Sequence, residues 1–301
     1  MSAGYEADML ADQLKRVQRE IDSAFDAILP MPTDARAQLI EAMRYAAIGG
    51  GKRVRPLLVI ATSELLGVNR ESAIRVGCAV ELIHVYSLIH DDLPCMDDDD
   101  LRHGKPTVHR AFDEAIAVLA GDALHGLAFE ILADPETSSD PFTRAELVAT
   151  LAQASGMNGM AGGQMMDMAA DGSDFDLHTI TRLQQLKTGA LLAASVEMGA
   201  ILGRVPPEGR SHLRAYSRDI GLAFQIADDL LDHEGDADKA GKAVGKDADR
   251  GKATFVSLMG AEKAREQANA LVEQAIGHLT SYGKDAQTLC ALARFIVERD
   301  N

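Results

Sequence analysis

The 301-residue chain has no tryptophan, only 4 % aromatic residues and three cysteines. Cys78, Cys95 and Cys290 are unevenly spaced and form no C-x-x-C pair, which excludes a disulfide framework and a cysteine zinc site and points to a reducing compartment. Positive charge is also scarce: 30 Lys+Arg stand against 46 Asp+Glu, a net charge of -16. Nucleic-acid backbones and anionic membrane surfaces reward the opposite sign, so neither is an expected partner. No uninterrupted apolar run approaches the 18 or so residues of a membrane span, and no membrane insertion is expected. The N-terminus "MSAGYEADMLADQ" is acidic and lacks an apolar h-region, so a cytoplasmic location is expected. No repeat of 20 to 50 residues is visible.

Core material is plentiful, at 47 % hydrophobic residues, and it is dominated by alanine, leucine and methionine. These are helix formers with little β bias, and the chain reads as all-α. Its length lies near the limit at which single cores stop growing, and residues 1–301 are expected to form one large helical bundle. Short breaker segments punctuate the helical periodicity. "LPMPTD" (29–34) precedes a helix from about Ala35 to Ile48 that stops at "GGG". Asp140 is the N-cap, and Pro141 the first residue, of another helix. Helix-length segments cover 71–92, 111–133, 143–170, 176–202, 211–233 and 253–281. Many are alanine-rich on all sides, which predicts burial by neighbours and by a second subunit.

"HDDLPCMDDDD" (90–100) packs six aspartates around a proline. A lone acidic run is ordinarily a solvated loop. A second cluster, "FQIADDLLD" (224–232), changes the weighing. There Asp228 and Asp232 are four apart and share a helix face, with Asp229 about 100° around. In the first cluster Asp91 and Asp97 are six apart, about 120° out of register on an ideal helix. Pro94 cannot continue a regular helix. If residues 93–96 bulge by two, Asp91 and Asp97 recover an i, i+4 relation and the two clusters match as D-D-x-x-D patterns. Facing carboxylates about 5 Å apart repel by roughly 3 kcal/mol per pair at an effective dielectric near 20. A cation between them is implied, and an all-oxygen donor set describes hydrated magnesium better than zinc.

Magnesium in that position calls for an anionic substrate, and the chain supplies cations to grip one. "GGGKRVRP" carries Lys52, Arg53 and Arg55; "LRHGKP" carries Arg102 and Lys105; "LKTG" carries Lys187 and Thr188. The long polar segment 233–254 adds Lys242, Lys246 and Lys252, and a loop of that length is ordinarily functional or disordered. Singly each cation is weak; jointly they suggest two diphosphates.

The motifs "GGGKRVRP", "HVYSLIHDDLPCMDDDDLR", "GKPT", "GDAL", "GGQMMD", "LKTGALL", "FQIADDLLD" and "GKDADRGKAT" run in order over residues 49–254. In this the chain resembles the short-chain trans-isoprenyl diphosphate synthases, closest to the bacterial farnesyl members. The resemblance implies one polyprenyl synthetase domain of isoprenoid synthase type, a helical bundle around a central cavity, acting as a homodimeric prenyltransferase. It implies head-to-tail condensation of isopentenyl diphosphate with dimethylallyl or geranyl diphosphate, dependent on three Mg²⁺ ions per active site. By the same resemblance the metal is held by Asp91, Asp97 and Asp228, with Asp92 and Asp232 supporting. The allylic diphosphate contacts correspond to Arg102, Lys187, Thr188, Gln225, Lys242 and Lys252. Those for isopentenyl diphosphate correspond to Lys52, Arg55 and His84. The family's usual second arginine after the first cluster is here His103, mostly neutral near pH 7, so a weak and pH-sensitive grip on isopentenyl diphosphate is expected.

Product length is expected to depend on Tyr86 and Ser87, about one turn below Asp91. An aromatic there with the two-residue insertion goes with a 15-carbon product in this family, although the insertion also occurs in 20-carbon bacterial synthases. Segment 233–254 is expected to close over substrate as a lid. Bland readings stand beside these: His84 and His90 as satisfied core histidines, Thr188 and Gln225 as backbone caps, and Met157, Met160, Met165, Met166 and Met168 as core filler. A terpene cyclase would need aromatic rings to shield migrating cations, and these are scarce here. A non-catalytic synthase subunit would not need the complete second aspartate cluster.

Overall fold

The computed structural model describes residues 3–170, 175–234 and 254–298. Helix α1 (Ala3–Ile28) is followed by α2 (Ala37–Ala47), α3 (Val54–Leu65) and α4 (Arg70–Asp91). A two-stranded hairpin and the short α5 (Val108–Ala111) lead into α6 (Glu114–Ala133) and α7 (Pro141–Ser155). Next come α8 (Met160–Ala169), α9 (Leu177–Gln184), a π turn (Gln185–Gly189), α10 (Ala190–Leu202) and α11 (Ser211–Glu234). The chain closes with α12 (Phe255–Met259), α13 (Ala261–His278) and α14 (Gln287–Glu298).

The all-α expectation holds, and several boundaries fall where the breakers placed them. Asp140 caps α7 by accepting from the Phe142 amide, with Pro141 first in the helix. Three expected helices are interrupted. Segment 143–170 breaks between Gly156 and Gly159, segment 176–202 contains the π turn, and segment 253–281 breaks at Gly260, whose φ is +84°. Apolar periodicity alone did not register these interruptions, because the alanine- and methionine-rich flanks stay helical in pattern on both sides.

Two helices organise the core. Helix α4 has apolar residues around much of its circumference, as a helix with neighbours on several sides requires, and packs against α1, α3, α6 and α10. Helix α11 packs against α10, α13 and α14, and the hydroxyl of its buried Tyr216 donates to the Leu289 carbonyl of α14 at 2.8 Å. Helix α10 therefore touches both helices that carry the aspartate clusters, and its N-terminal extension is the π turn bearing Lys187.

The lack of an uninterrupted apolar run of span length does not exclude long apolar helices, and two occur among the described residues. Counting uninterrupted runs overlooked α4 and α6, helices of 22 and 20 residues that contain 18-residue windows of mean hydropathy 1.4 and 1.6. In α4 that window is 61 % buried inside the protein. Helix α6 is less covered, and Val118 and Leu119 on it are 41 % and 55 % exposed.

Candidate active site

The first aspartate run is not one helical face. Helix α4 ends at Asp91, and the following loop returns so that the Asp97 amide donates to the Asp91 carbonyl at 2.8 Å. An α-helix closes each such bond over four residues; this one closes over six, which is the two-residue bulge expected around Pro94. The remaining aspartates divide their work. Asp92, 3 % exposed, holds the Arg102 guanidinium, whose Nε donates at 3.1 Å, and Asp100 and Asp98 lie 2.5 and 3.8 Å from Arg110. Most of this charge therefore pins the loop and the hairpin after it, while Asp91 lines the larger cavity.

That hairpin pairs Leu101 with Pro106 and Arg102 with Lys105. Its two-residue loop, His103 and Gly104, has φ of 51° and 75°, the type I′ geometry that suits the twist of a tight hairpin. Tyr45 on α2 anchors it, donating to the Pro106 carbonyl at 2.7 Å.

Two cavities flank α4. The smaller, about 130 Å³, is lined by Gly49, Gly50, Gly51, Arg53, Glu81, His84, Asp92, Arg102, His103 and Lys105 among others. The larger, about 370 Å³, is lined by Arg55, His84, Tyr86, Ser87, Asp91, Gln164, Lys187 and Thr188 and by four methionines. His84 and Leu88 border both.

Local charge is shaped by burial. Burial pushes the Asp91 carboxyl up to about 6, with the nearby Asp97 and Asp92 charges adding to the rise and Lys187 and Arg102 opposing it. Asp92 is also raised by burial, against the pull of Arg102. Burial holds the His84 imidazole well below its usual range, reinforced by Arg55, Arg102 and His103. His103 is lowered by burial and then by Arg102 and Arg53. Both shifts favour the neutral imidazole.

Lys187 is tied to Asp167 of α8 at 2.6 Å. Helix α8 comes so close to the π turn that a Cβ on Gly163 would lie 2.1 Å from the Lys187 amide nitrogen, a separation only glycine permits. This gives "GGQMMD" its structural meaning: Gly163 allows the approach, Asp167 holds the lysine, and Gln164 lines the larger cavity. On α11 the expected geometry appears. Asp228 and Asp232 are partly exposed on one face, while Asp229 turns inward and accepts from the Phe255 amide at 2.8 Å. Gln225, 7 % exposed, donates to Asp228 at 3.4 Å, which places it beside the cluster.

Several expected residues sit differently. Arg53 is 3 % exposed and turned inward, bonded to Glu81 at 2.8 Å and Asp22 at 2.7 Å, and it fixes the glycine turn without offering its charge to a ligand. Lys52 places its ammonium 5.6 Å from the Phe295 ring centre on α14. Arg55 lines the larger cavity with Asp91, not the smaller one with His103. Met157, Met165 and Met168 are exposed, at 84 %, 62 % and 48 %, so they are not core filler; Met160 is, and Met166 is half-buried. His90 Nε2 donates to the Val118 carbonyl at 3.1 Å, a satisfied histidine as the bland reading held, but half-buried at the cavity and not in the core. Lys242, Lys246 and Lys252, and the lid expectation, lie outside the described residues.

Sequence reasoning missed His125 on α6. It stacks edge-on to Tyr86 with ring centres 4.9 Å apart, and Tyr86 in turn meets His90 at 5.7 Å. Nothing in the local pattern of α6 distinguishes His125 from any other helical polar residue.

Among the described residues no three His, Cys, Asp or Glu side chains converge tightly enough to enclose a metal by themselves. The oxygens of Asp91, Asp97 and Asp228 are hard donors on the end of α4, the loop after it and α11. They suit a cation that keeps water and shares itself with an anionic ligand, not a closed cage.

Residues 36–292 match the model of the polyprenyl synthetase family. The chain belongs to the polyprenyl synthetase family. Among its relatives in that family is the farnesyl diphosphate synthase of Escherichia coli K12, 44 % identical over 96 % of this chain and 98 % of the relative. The large subunit 1 of a chloroplastic heterodimeric geranylgeranyl pyrophosphate synthase of Arabidopsis thaliana is also 44 % identical, over 93 % of this chain and 77 % of its own length. A crystal structure of an FPP/GFPP synthase from Zymomonas mobilis superposes with a TM-score of 0.88 at 59 % identity, covering 97 % of this chain and 99 % of that one. All-α architecture and family agree with the sequence reading.

Proposed function

We propose that the chain is a prenyltransferase that joins isopentenyl diphosphate head-to-tail to dimethylallyl and then geranyl diphosphate, giving farnesyl diphosphate. The observation that supports this most directly is the pair of cavities on either side of α4, one carrying Asp91, Lys187 and Arg55, the other Arg102, His103 and Lys105. Two adjacent spaces with cations on both sides of a shared wall suit a condensation of two anionic substrates, and Arg102 in the smaller and Arg55 in the larger lie near enough to that wall to serve the neighbouring diphosphate.

In this reading Asp91, Asp97 and Asp228, with Asp232, hold Mg²⁺. Asp92 acts through Arg102, which it orients. When bound, the ions supply positive charge that offsets the charge developing on the departing diphosphate. Lys187, held in place by Asp167, binds the same diphosphate together with Thr188, Arg102 and Gln225, and Lys242 and Lys252 complete the grip. Fixed cations aimed at that group favour its departure over its bound ground state. His84 and His103, with Lys52 and Arg55, position isopentenyl diphosphate so that its double bond faces the allylic carbon. That alignment removes much of the entropic cost of bringing two substrates together. Proton loss then completes the product. The neutral state of His84 leaves one ring nitrogen as a donor to a phosphate oxygen without adding charge to the wall.

The exposed apolar side chains Val118 and Leu119 on the apolar helix α6 are consistent with a homodimer that covers them. The experiment is an assay of purified protein with labelled isopentenyl diphosphate and each allylic starter, with Mg²⁺ and with chelator, followed by sizing of the products. Mg²⁺-dependent formation of a 15-carbon product supports the reading, and no chain growth with either starter refutes it.

A further inference from the structure

Helix α8 turns Ala161, Gln164, Met165 and Met168 toward the larger cavity. These positions are i, i+3, i+4 and i+7, the stripe a helix normally buries against a neighbour. Here the stripe faces a space of about 370 Å³, and its two methionines are 62 % and 48 % exposed. Large apolar side chains exposed together at a cavity mark a binding surface. The same cavity carries Asp91, Lys187 and Thr188, the diphosphate end of the site proposed above, and Met96 and Met160 extend its apolar lining.

The two walls differ in stiffness. On the α4 side, Tyr86 is braced by His125 and His90 at ring separations of 4.9 and 5.7 Å. Its planar ring has little freedom to yield. On the α8 side the groups are methionines, unbranched and polarisable, which fill irregular space and repack at low cost. The helix itself is fixed in register, because Gly163 lies against the Lys187 backbone and Asp167 bonds the Lys187 ammonium. The yielding part of the wall is therefore the methionine side chains.

We propose that Met165 and Met168 are specificity-determining residues: they form a deformable wall for the growing prenyl chain and, together with Tyr86, set product length. The inference rests on the prenyl-transfer reading. A five-carbon extension must be housed by displacing these side chains, so their bulk governs the partition between release and another round. Steric discrimination of a few carbons in an apolar pocket is worth roughly tenfold or more.

The test compares product ladders of wild type, Met165→Phe, Met168→Phe and Met168→Ala, with isopentenyl diphosphate and geranyl diphosphate as substrates. Met157→Phe is the control, since Met157 is 84 % exposed on the turn before α8 and does not line the cavity. The phenylalanine variants are expected to shift the ratio of adjacent product lengths about tenfold toward the shorter. Met168→Ala is expected to shift it toward the longer. Melting temperature and the KM for isopentenyl diphosphate are expected to stay near wild type in all four. An active protein whose ladder is the same in all three wall variants, or shifts equally in Met157→Phe, overturns the wall. A wild type that joins no isopentenyl unit to any starter overturns the functional reading instead, and the wall with it.

Discussion

The Asp97 amide donates to the Asp91 carbonyl at 2.8 Å across a six-residue separation. A loop of two extra residues is thereby folded out of what would be a helical turn, and two carboxylates distant in helical register are brought to one end of α4. The proline is the reason the helix gives way here, since it has no amide to continue the ladder.

Asp91 sits at that end with a carboxyl pushed up to about 6 from 3.8 by burial. Its folded value exceeds its unfolded one, so the proton is bound more tightly in the folded protein. The resulting stabilisation is complete below pH 3.8 and is lost as pH rises through 6. In chelator at pH 7.5, Asp91→Asn is expected to be more stable than wild type by about 1–2 kcal/mol in urea unfolding, the difference vanishing near pH 4. The same variant should lose about 100-fold in kcat/KM. Equal or lower stability at pH 7.5 would contradict the charge burial described.

His103 occupies a type I′ loop and is held neutral by burial and by Arg102 and Arg53. His103→Arg restores a permanent charge and a planar fork facing the smaller cavity. The KM for isopentenyl diphosphate is expected to fall about 10- to 150-fold, the worth of one charge-assisted hydrogen bond. Because the imidazole value is lowered, its charged form is gained only as pH drops below 6.5, so this residue leaves the wild-type KM flat from pH 7 to 8.5. An unchanged KM in the variant would remove His103 from the binding site.

A methyl group on Gly163 has nowhere to go, with the Lys187 nitrogen 2.1 Å away and the Lys187 Cα at 2.5 Å. Gly163→Ala is expected to push α8 off the π turn, costing about 1–3 kcal/mol of stability. Catalysis should suffer more than folding, since a shift of about 1 Å in Lys187 is worth on the order of 100-fold. Thermal melting and steady-state kinetics on one preparation separate the two effects; full activity would show that Lys187 tolerates displacement.

Tyr86→Ala removes the braced ring from the larger cavity and is expected to lengthen the product by at least one five-carbon unit. The first condensation should proceed at near wild-type kcat/KM, because Tyr86 lies about 7 Å down α4 from Asp91. Chromatography of hydrolysed products reads this directly. An unchanged product profile would place the stop elsewhere.

Much of this site was legible in the order of residues. Asp228 and Asp232 share a face because α11 runs unbroken to Glu234, and the Pro94 bulge followed from the need to bring Asp91 and Asp97 into phase. What the sequence could not convey is how charge is partnered. Arg53, Arg55 and Lys52 are neighbours in a basic turn, yet one is buried on Glu81, one lines the larger cavity and one lies over Phe295. That sorting depends on a φ of 55° at Arg53, set by tertiary packing and not by local preference. His125 was invisible for a similar reason. Its meaning comes from Tyr86, 39 positions earlier, and no periodicity links them.

His84 and Leu88 each present a single side chain to two chambers, while the consecutive residues Asp91 and Asp92 look into different ones. A party wall of this kind makes the two tenants answer to each other. Any rotamer that one occupant selects at His84 is imposed on the other, and thermodynamic reciprocity requires the favour or injury to be returned in equal measure. A tethered compound with one anionic head in each chamber would collect both affinities and this coupling in one molecule.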